Sequence, residues 1–204
     1  MNSINVPAST ELVFEIEEGS LSLRVSASGN IEAQFEEEDM EESDVHFHQN
    51  GDRGDIRVDG ESDVDLKVPA GTAVQMATGD GDIDIISFDG AVDARTNDGS
   101  IDARGRFDRL RLTTDDGHIE VEVLAGSHIA GQWELLTGDG SITIRLPPDF
   151  AADLDASTGD GHIRIDLPFT SAQLDEHFVR GKLNGGGPPL TVRTDDGSIE
   201  IEPL

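Results

Sequence analysis

The stretch Thr78-Gly-Asp-Gly-Asp-Ile-Asp-Ile85 decides the fold, because near-copies of it recur through the last two-thirds of the chain. The five further copies begin at Thr96, Thr114, Thr137, Thr158 and Thr194. Self-similarity at a short period indicates one supersecondary unit that is stacked repeatedly. The sequence therefore predicts an all-β repeat array.

Each copy combines a turn with the start of a strand. Asp tolerates left-handed conformations and Gly adopts positive φ without steric cost, so Asp-Gly predicts the turn. The alternating Ile-x-Ile that follows predicts a strand, and stretches such as Leu110-Arg-Leu-Thr-Thr114 predict a second one before the next turn. Each repeat is thus expected to hold about two short strands.

Two β arrangements fit this pattern. One is a solenoid in which like strands stack in parallel, and the other is an antiparallel meander or sandwich built from hairpins. The repeats are nearly identical in sequence, which favours the solenoid. In a solenoid the Asp-Gly corners form a ladder along one edge with rungs about 4.8 Å apart. The isoleucines expected to stack inside it are Ile83, Ile101, Ile119, Ile142, Ile163 and Ile199.

We expect a single domain over residues 1–204, since no linker divides the chain. Residues 64–204 carry the clear repeats, with an insertion at about 171–189 in which Ala172–Val179 is predicted to form a short helix. Residues 1–63 carry weaker phrases, at Glu18–Leu23, Gly29–Ala33 and Gly54–Val58, which are interpreted as degenerate N-terminal rungs. Within that region, Glu36–Asp44 holds seven acids in nine residues and is predicted to be a solvent-facing loop.

The charge of the chain limits its partners. The sequence has 43 acidic and 14 basic residues, a formal net charge of −29, which repels phosphate backbones and anionic lipid head groups. Nucleic acid is therefore not an expected partner. The charge fits cation capture, a high-salt habitat, a basic partner or simply a soluble acidic surface.

Disulfide-stabilised proteins, thiol enzymes and membrane-spanning proteins are disfavoured by features that the sequence lacks. With no cysteine there is no disulfide framework and no thiolate nucleophile. No basic and apolar leader opens the sequence, and no stretch of eighteen apolar residues occurs. We therefore expect a soluble chain without direct membrane insertion, and the sequence leaves the cell compartment unknown.

The repeats, together with Gly181-Lys-Leu-Asn-Gly-Gly-Gly-Pro-Pro-Leu190 leading into Thr194-Asp-Asp-Gly-Ser-Ile199, give the chain a family resemblance. It resembles the bacterial putative-adhesin β-repeat family, a domain of unknown function whose relatives are called toast-rack domains. The resemblance implies a right-handed β-solenoid-like fold on exported or membrane-anchored proteins of the cell envelope. It implies an adhesive or scaffolding role and no catalytic residues.

The repeated aspartates are the main candidate site. Hard cations prefer several oxygen ligands, so a ladder of carboxylates on exposed turns is a candidate calcium site. The alternative is that each aspartate caps its own turn through an Asx hydrogen bond. The six candidates are Asp80, Asp98, Asp116, Asp139, Asp160 and Asp196.

Histidines give a weaker metal hypothesis. His46 and His48 lie two apart and would share one face of a strand, where Asp44 could join them as a third ligand. His118 and His162 occupy the same repeat position, directly after Asp-Gly, and are expected at a polar, outward-facing corner.

Enzymatic signals are weak. No Gly-x-Ser-x-Gly elbow or phosphate-binding loop is present, and a chain with no tyrosine and one tryptophan offers few platforms for sugar rings. Trp133 is expected to be a core or edge-covering residue. An unrecognised active site in the loop Gly185–Pro189 is the remaining enzyme hypothesis.

The sequence thus favours a non-enzymatic structural or interaction module with an unidentified protein or cell-surface partner. A calcium-dependent binding or assembly protein is the alternative, and an enzyme is the third possibility. Because solenoid ends expose unpaired strands, end-to-end self-association is also expected, opposed by the negative charge.

Overall fold

A computed structural model describes residues 3–7, 9–36, 44–127 and 130–204. No helix in these ranges is long and apolar enough to cross a membrane. The strands are β1 (Ser3–Pro7), β2 (Glu11–Glu18), β3 (Leu21–Val25), β4 (Asn30–Phe35), β5 (Val45–Asn50), β6 (Arg53–Glu61), β7 (Val64–Val68), β8 (Ala73–Asp80), β9 (Ile83–Arg95), β10 (Ile101–Asp116), β11 (Ile119–Val123), β12 (Trp133–Asp139), β13 (Ile142–Leu146), β14 (Ala152–Asp160), β15 (Ile163–Ile165), β16 (Phe169–Leu174), β17 (Phe178–Leu183), β18 (Pro189–Asp196) and β19 (Ile199–Pro203).

These strands form two layers that share one core. Layer 1 runs in the order β5, β6, β2, β8, β9, β10, β12, β18, β14, β17, β16. Layer 2 runs in the order β1, β4, β7, β3, β9, β10, β11, β13, β19, β15. The long strands β9 and β10 start in layer 2 and end in layer 1. Side chains alternate between solvent and the interior, and the buried ones from both layers belong to one apolar cluster.

The repeat strands stack in parallel and in register, which confirms the solenoid-like arrangement over the antiparallel meander. Ile83 of β9 pairs with Ile101 of β10, which in turn pairs with Ile119 of β11. We call one layer-1 strand, the following Asp-Gly corner and the next layer-2 strand a rung. The predicted isoleucine stack is buried throughout except for Ile163, which is half-buried because β15 forms the edge of layer 2.

The spatial order of the rungs differs from their order in the sequence at both ends. The first rung of the sequence, β2–β3, lies between the β6–β7 rung and the rung that starts with β8. The last rung, β18–β19, lies between β12–β13 and β14–β15. The first and last rungs therefore each have a hydrogen-bonded partner on both sides, which holds the C-terminal strand β19 inside the array, whereas the N-terminal strand β1 lies at an edge.

Antiparallel strands cap the two ends, and two predictions were wrong there. Gly29–Ala33 is not a rung, because it lies in β4, which pairs antiparallel with both β1 and β7. Gly54–Val58 does lie in a rung, in which it forms part of the layer-1 strand β6 and follows no Asp-Gly corner. Ala172–Val179 is not helical but falls in the antiparallel pair β16 and β17, which lies over β14. Its alternating Phe178, Val179 and Arg180 suit a strand, and pairing with β14 overrides the local helical preference.

Three aromatic residues, Phe107, Trp133 and Phe150, form a cluster in the core. Trp133 is fully buried, and its ring meets Phe107 edge-on at 6.2 Å and Phe150 at 5.3 Å between centroids. Its indole N–H points to the carbonyl of Asp108 at 3.5 Å. Trp133 is thus a core residue, as expected from its alternation with Leu135.

Candidate functional site

The Asp-Gly corners stack into a single edge, and glycine is required there for two reasons. Gly117 adopts a φ of 155°, and a Cβ at this position would lie 2.1 Å from the carbonyl oxygen of Gly99 in the preceding rung. The same close approach is found between the other stacked corners. In the corner next to Gly19, the carbonyl that is approached belongs to Ser62 instead of a glycine. The corner glycines therefore serve both the turn and the tight stacking of the rungs.

The repeat threonines form a buried ladder behind this edge. Each hydroxyl donates a hydrogen bond to the carbonyl of a corner glycine in the neighbouring rung, for example Thr96 to Gly81 at 2.9 Å and Thr114 to Gly99 at 2.8 Å. The ladder consists of Thr78, Thr96, Thr114, Thr137, Thr158 and Thr194, all at most 6% exposed. The sequence did not predict this role, although a threonine five residues before the isoleucine recurs in all six repeats and was the available signal.

The residue after each corner glycine forms a second, polar ladder. The backbone N–H of His118 donates to Ser100 Oγ at 3.3 Å, and that of Ser141 donates to His118 Nδ1 at 3.0 Å. His162 occupies the same position, and its Nδ1 lies 2.9 Å from Ser198 Oγ. This position requires a hydrogen-bond acceptor, which explains why Ser, Asp and His alternate there. His118 and His162 are exposed at the corner, as expected.

The six repeat aspartates form the row that the sequence predicted. Their carboxylates take no part in the threonine ladder or in the polar ladder. Asp80, Asp98 and Asp116 are consecutive partners in register, and Asp116, Asp139, Asp196 and Asp160 continue the row. All six are exposed. Within the described part of the chain, none of the six carboxylates has an ion pair or a hydrogen bond, so the expected Asx capping is not formed. The Gly and Thr hydrogen bonds stabilise the turn instead.

The backbone carbonyls of the same aspartates are already engaged. The N–H of Gly99 donates to the carbonyl of Asp116 at 2.9 Å, and the N–H of Gly117 donates to that of Asp139 at 2.9 Å. A cation on this edge would consequently be held by carboxylates and water. No group of three or more His, Cys, Asp or Glu in the described ranges is arranged to hold a metal ion. We call this row of six aspartates the corner edge.

A shorter acidic row on the outer face of layer 2 shows the electrostatic effect of stacking carboxylates. Asp84, Asp102 and Glu120 are directly opposite one another on adjacent strands. Burial raises the pKa of Asp102, and the neighbouring carboxylates of Glu120, Asp84 and Asp82 raise it further. Arg145 pairs with Glu120 and relieves only one end of this row.

His46 and His48 share the outer face of β5, as predicted. His46 Nε2 lies 3.0 Å from Asp59 Oδ2 of β6, and hydrogen bonds from His46 and Arg57 lower the pKa of Asp59. His48 lies opposite Asp55. Asp44 directly precedes β5, whereas residues 37–43 of the predicted acidic loop lie outside the described residues.

The loop Gly185–Pro189 closes against β14. Gly187 N–H donates to Asp153 Oδ1 at 3.1 Å, and Asn184 donates to the carbonyl of Phe150 at 2.9 Å. A cavity of about 390 Å³ beside it is lined by Gly126, Ser127, Pro147, Asp149, Phe150, Ala151 and Pro188. The loop thus makes structural hydrogen bonds, and Asp149 is the one ionisable side chain among the described lining residues.

Comparison with known proteins supports the fold. The family model described as Toastrack DUF4097 matches residues 3–202. A solved structure of a putative cell adhesion protein from Clostridium sporogenes is similar, with a TM-score of 0.64, 10% identity and 99% of both chains covered. A putative adhesin from Bacteroides fragilis matches with a TM-score of 0.39 and 13% identity over 99% of this chain and 96% of that one. No curated protein matches the sequence.

Proposed function

Because the chain belongs to the Toastrack DUF4097 family, we propose that it is a non-enzymatic, adhesin-like binding module of the bacterial cell envelope. One observation carries this proposal. The recurrent Gly, Thr and Ser/His residues take part in the stacking of rungs, whereas the carboxylates of the corner edge are exposed and, among the described residues, make no ion pair or hydrogen bond. The repeat therefore presents a row of exposed carboxylates in register on stacked strands.

The partner is proposed to be a basic surface. Neighbouring carboxylates along the corner edge follow the strand spacing of about 4.8 Å, and mutual repulsion makes such a row a strong attractor for cations. Arg95, at the end of β9, pairs with Asp115 at 3.9 Å rather than with a member of the row. An extended cationic segment could neutralise several rungs at once. The similar solved structure from Clostridium sporogenes is in accord with an adhesive role.

The test compares two triple variants that change the net charge equally. Asp98→Asn, Asp116→Asn and Asp139→Asn together neutralise three adjacent rungs of the corner edge. Since each exposed ion pair is worth about 0.5 kcal/mol, we expect about tenfold weaker binding of a lysine-rich peptide. Calorimetry or fluorescence anisotropy at fixed ionic strength measures the change.

The matched control carries Asp84→Asn, Asp93→Asn and Asp102→Asn on the outer faces of the two layers. It should weaken peptide binding by about twofold at most, because it lowers only the overall charge. Equal losses in both triple variants would show that binding follows net charge alone, and the corner edge would then have no special role.

Calcium-dependent binding is the second candidate, favoured by the register of the same six aspartates. It predicts that millimolar CaCl₂ raises the melting temperature by several degrees relative to EDTA at equal ionic strength. It also predicts that the Asp98, Asp116 and Asp139 triple variant abolishes the rise. The leading proposal expects unchanged melting, because the carbonyl oxygens that calcium would need are engaged in the ladder.

A further inference from the structure

The two layers have four outer edges, and three of them carry features that block strand pairing. β1 ends in Pro7, which lacks an N–H donor. β15 has only three residues and carries Arg164 at its centre. β16 is interrupted by a shift in register between Ser171 and Gln173. Proline, shortness, charge and bulges are the devices by which natural sheets avoid edge-to-edge pairing.

The fourth edge, β5, has none of these devices. It pairs with β6 in unbroken antiparallel register from Val45 opposite Val58 to Asn50 opposite Arg53. Its sequence Val-His-Phe-His-Gln-Asn contains no Lys, Arg, Asp, Glu, Pro or Gly, in a chain in which 28% of residues are charged. No described strand pairs with its outer side. Phe47 is 40% exposed there.

The strand behind β5 has both of its arginines in ion pairs. Arg57 pairs with Asp59 at 3.2 Å, and Arg53 pairs with Asp55 at 2.9 Å and with Glu11 at 3.1 Å. The outer surface next to β5 therefore has most of its negative charge offset by arginine, unlike the corner edge. Two copies could approach each other through β5 with less repulsion than through the unpaired carboxylates of the corner edge.

We propose that β5 pairs antiparallel with β5 of a second copy of this chain, forming a two-fold symmetric dimer with a continuous layer 1. Such an isologous contact adds backbone hydrogen bonds along six residues on each side. This gives the end-to-end association expected from the sequence a defined edge and limits it to dimers. The inference does not depend on the proposed adhesive function.

The symmetry fixes which side chains meet. In this dimer the two-fold axis is perpendicular to layer 1, so that the outer faces of both copies lie on the same side. Residues of β5 with odd numbers then lie opposite odd-numbered residues of the other copy, and even-numbered residues lie opposite even-numbered ones. Phe47 then meets Phe47, Val45 or Gln49 of the other copy and loses its exposure. The histidines His46 and His48 meet histidine or Asn50 on the outer face. In every such register the contact holds no like-charged pair at neutral pH.

The dimer should depend on salt, since each copy carries a net charge of −29. The Debye length falls from about 10 Å at 0.1 M to about 3 Å at 1 M salt, which screens this repulsion. The contact is small, so a weak dimer is expected. Light scattering after size exclusion should give a molar mass of 21.8 kDa at low salt and twice that value at about 1 M NaCl.

Two matched variants test the edge. Phe47→Lys should abolish the doubling of mass, because it places a lysine in the junction. Leu174→Lys makes the same change at an exposed apolar position of β16, where Leu174 is 71% exposed, and should leave the dimer intact. Circular dichroism verifies that each variant is folded. A wild-type chain that stays monomeric at high salt and high concentration would overturn the proposal.

Single-cysteine variants give an independent readout, since the chain has no cysteine of its own. Under mild oxidation at high salt, the register that places Phe47 opposite Phe47 should give a covalent dimer of Phe47→Cys, and the two other registers should give one of Phe47→Cys mixed with Val45→Cys or Gln49→Cys, whereas Leu174→Cys should not cross-link. Cross-linking at Leu174 alone, or assemblies larger than dimers, would contradict the two-fold contact and assign the association to β16 or to head-to-tail stacking.

Discussion

Replacement of Gly117 by alanine is expected to destabilise the protein by about 3 kcal/mol or more. The new Cβ would lie 2.1 Å from the carbonyl oxygen of Gly99, and the backbone φ of 155° is unfavourable for any residue with a side chain. Neither the steric overlap nor the backbone strain can relax locally, because the N–H and the carbonyl of Gly117 both form hydrogen bonds to the adjacent rung. For a domain of this size the melting temperature should fall by about 10 °C.

The control for this substitution is Gly29→Ala. A Cβ at Gly29 would meet nothing within 4 Å, so the change should leave the free energy of unfolding within about 0.5 kcal/mol of the wild type. Denaturant titration of both variants followed by circular dichroism gives the comparison. Similar stability of the two variants would mean that the corners are not stacked as closely as the structure shows.

Deletion of residues 189–204 is expected to abolish the native fold. This segment supplies β18 and β19, which lie between two other rungs, so its loss leaves β12–β13 and β14–β15 without partners on one side. The buried apolar side chains lost are Leu190, Val192, Ile199 and Ile201. At about 2 kcal/mol each, their contribution of roughly 8 kcal/mol is comparable to the whole stability of a typical domain.

The sole tryptophan reports on this deletion directly. Trp133 pairs in register with Leu190, so removal of the last rung should shift its emission to the red as water reaches the ring. Deletion of residues 1–7 is the control, because β4 is the one described strand that pairs with β1, at one end of layer 2. A truncated chain that keeps buried-tryptophan emission and cooperative unfolding would show that the last rung is terminal in space as well as in sequence.

The sequence alone predicted much of the candidate site. The spacing of the repeats predicted parallel stacking and the aspartate row, because Asp-Gly turns and alternating isoleucines carry their own conformational preferences. It did not predict that Thr114 would be buried and bonded to Gly99, or that His118 would accept a hydrogen bond from Ser141. Both contacts join one rung to its neighbour, so the turn propensity of a single repeat does not contain them.

What the sequence by itself determined is the local unit: two strands, an Asp-Gly corner and an inward-facing isoleucine. Only the tertiary structure decided how those units are ordered, since equivalent rungs offer almost the same edges and local pattern does not distinguish one neighbour from another. Thus the last rung lies inside the array, Ala172–Val179 became part of a strand pair, and β5 was left as an edge without protection. These outcomes depend on hydrogen bonds between segments that are distant in the sequence. Alternative strand pairings differ in free energy only once the whole domain is folded, so local propensity does not predict which pairing forms.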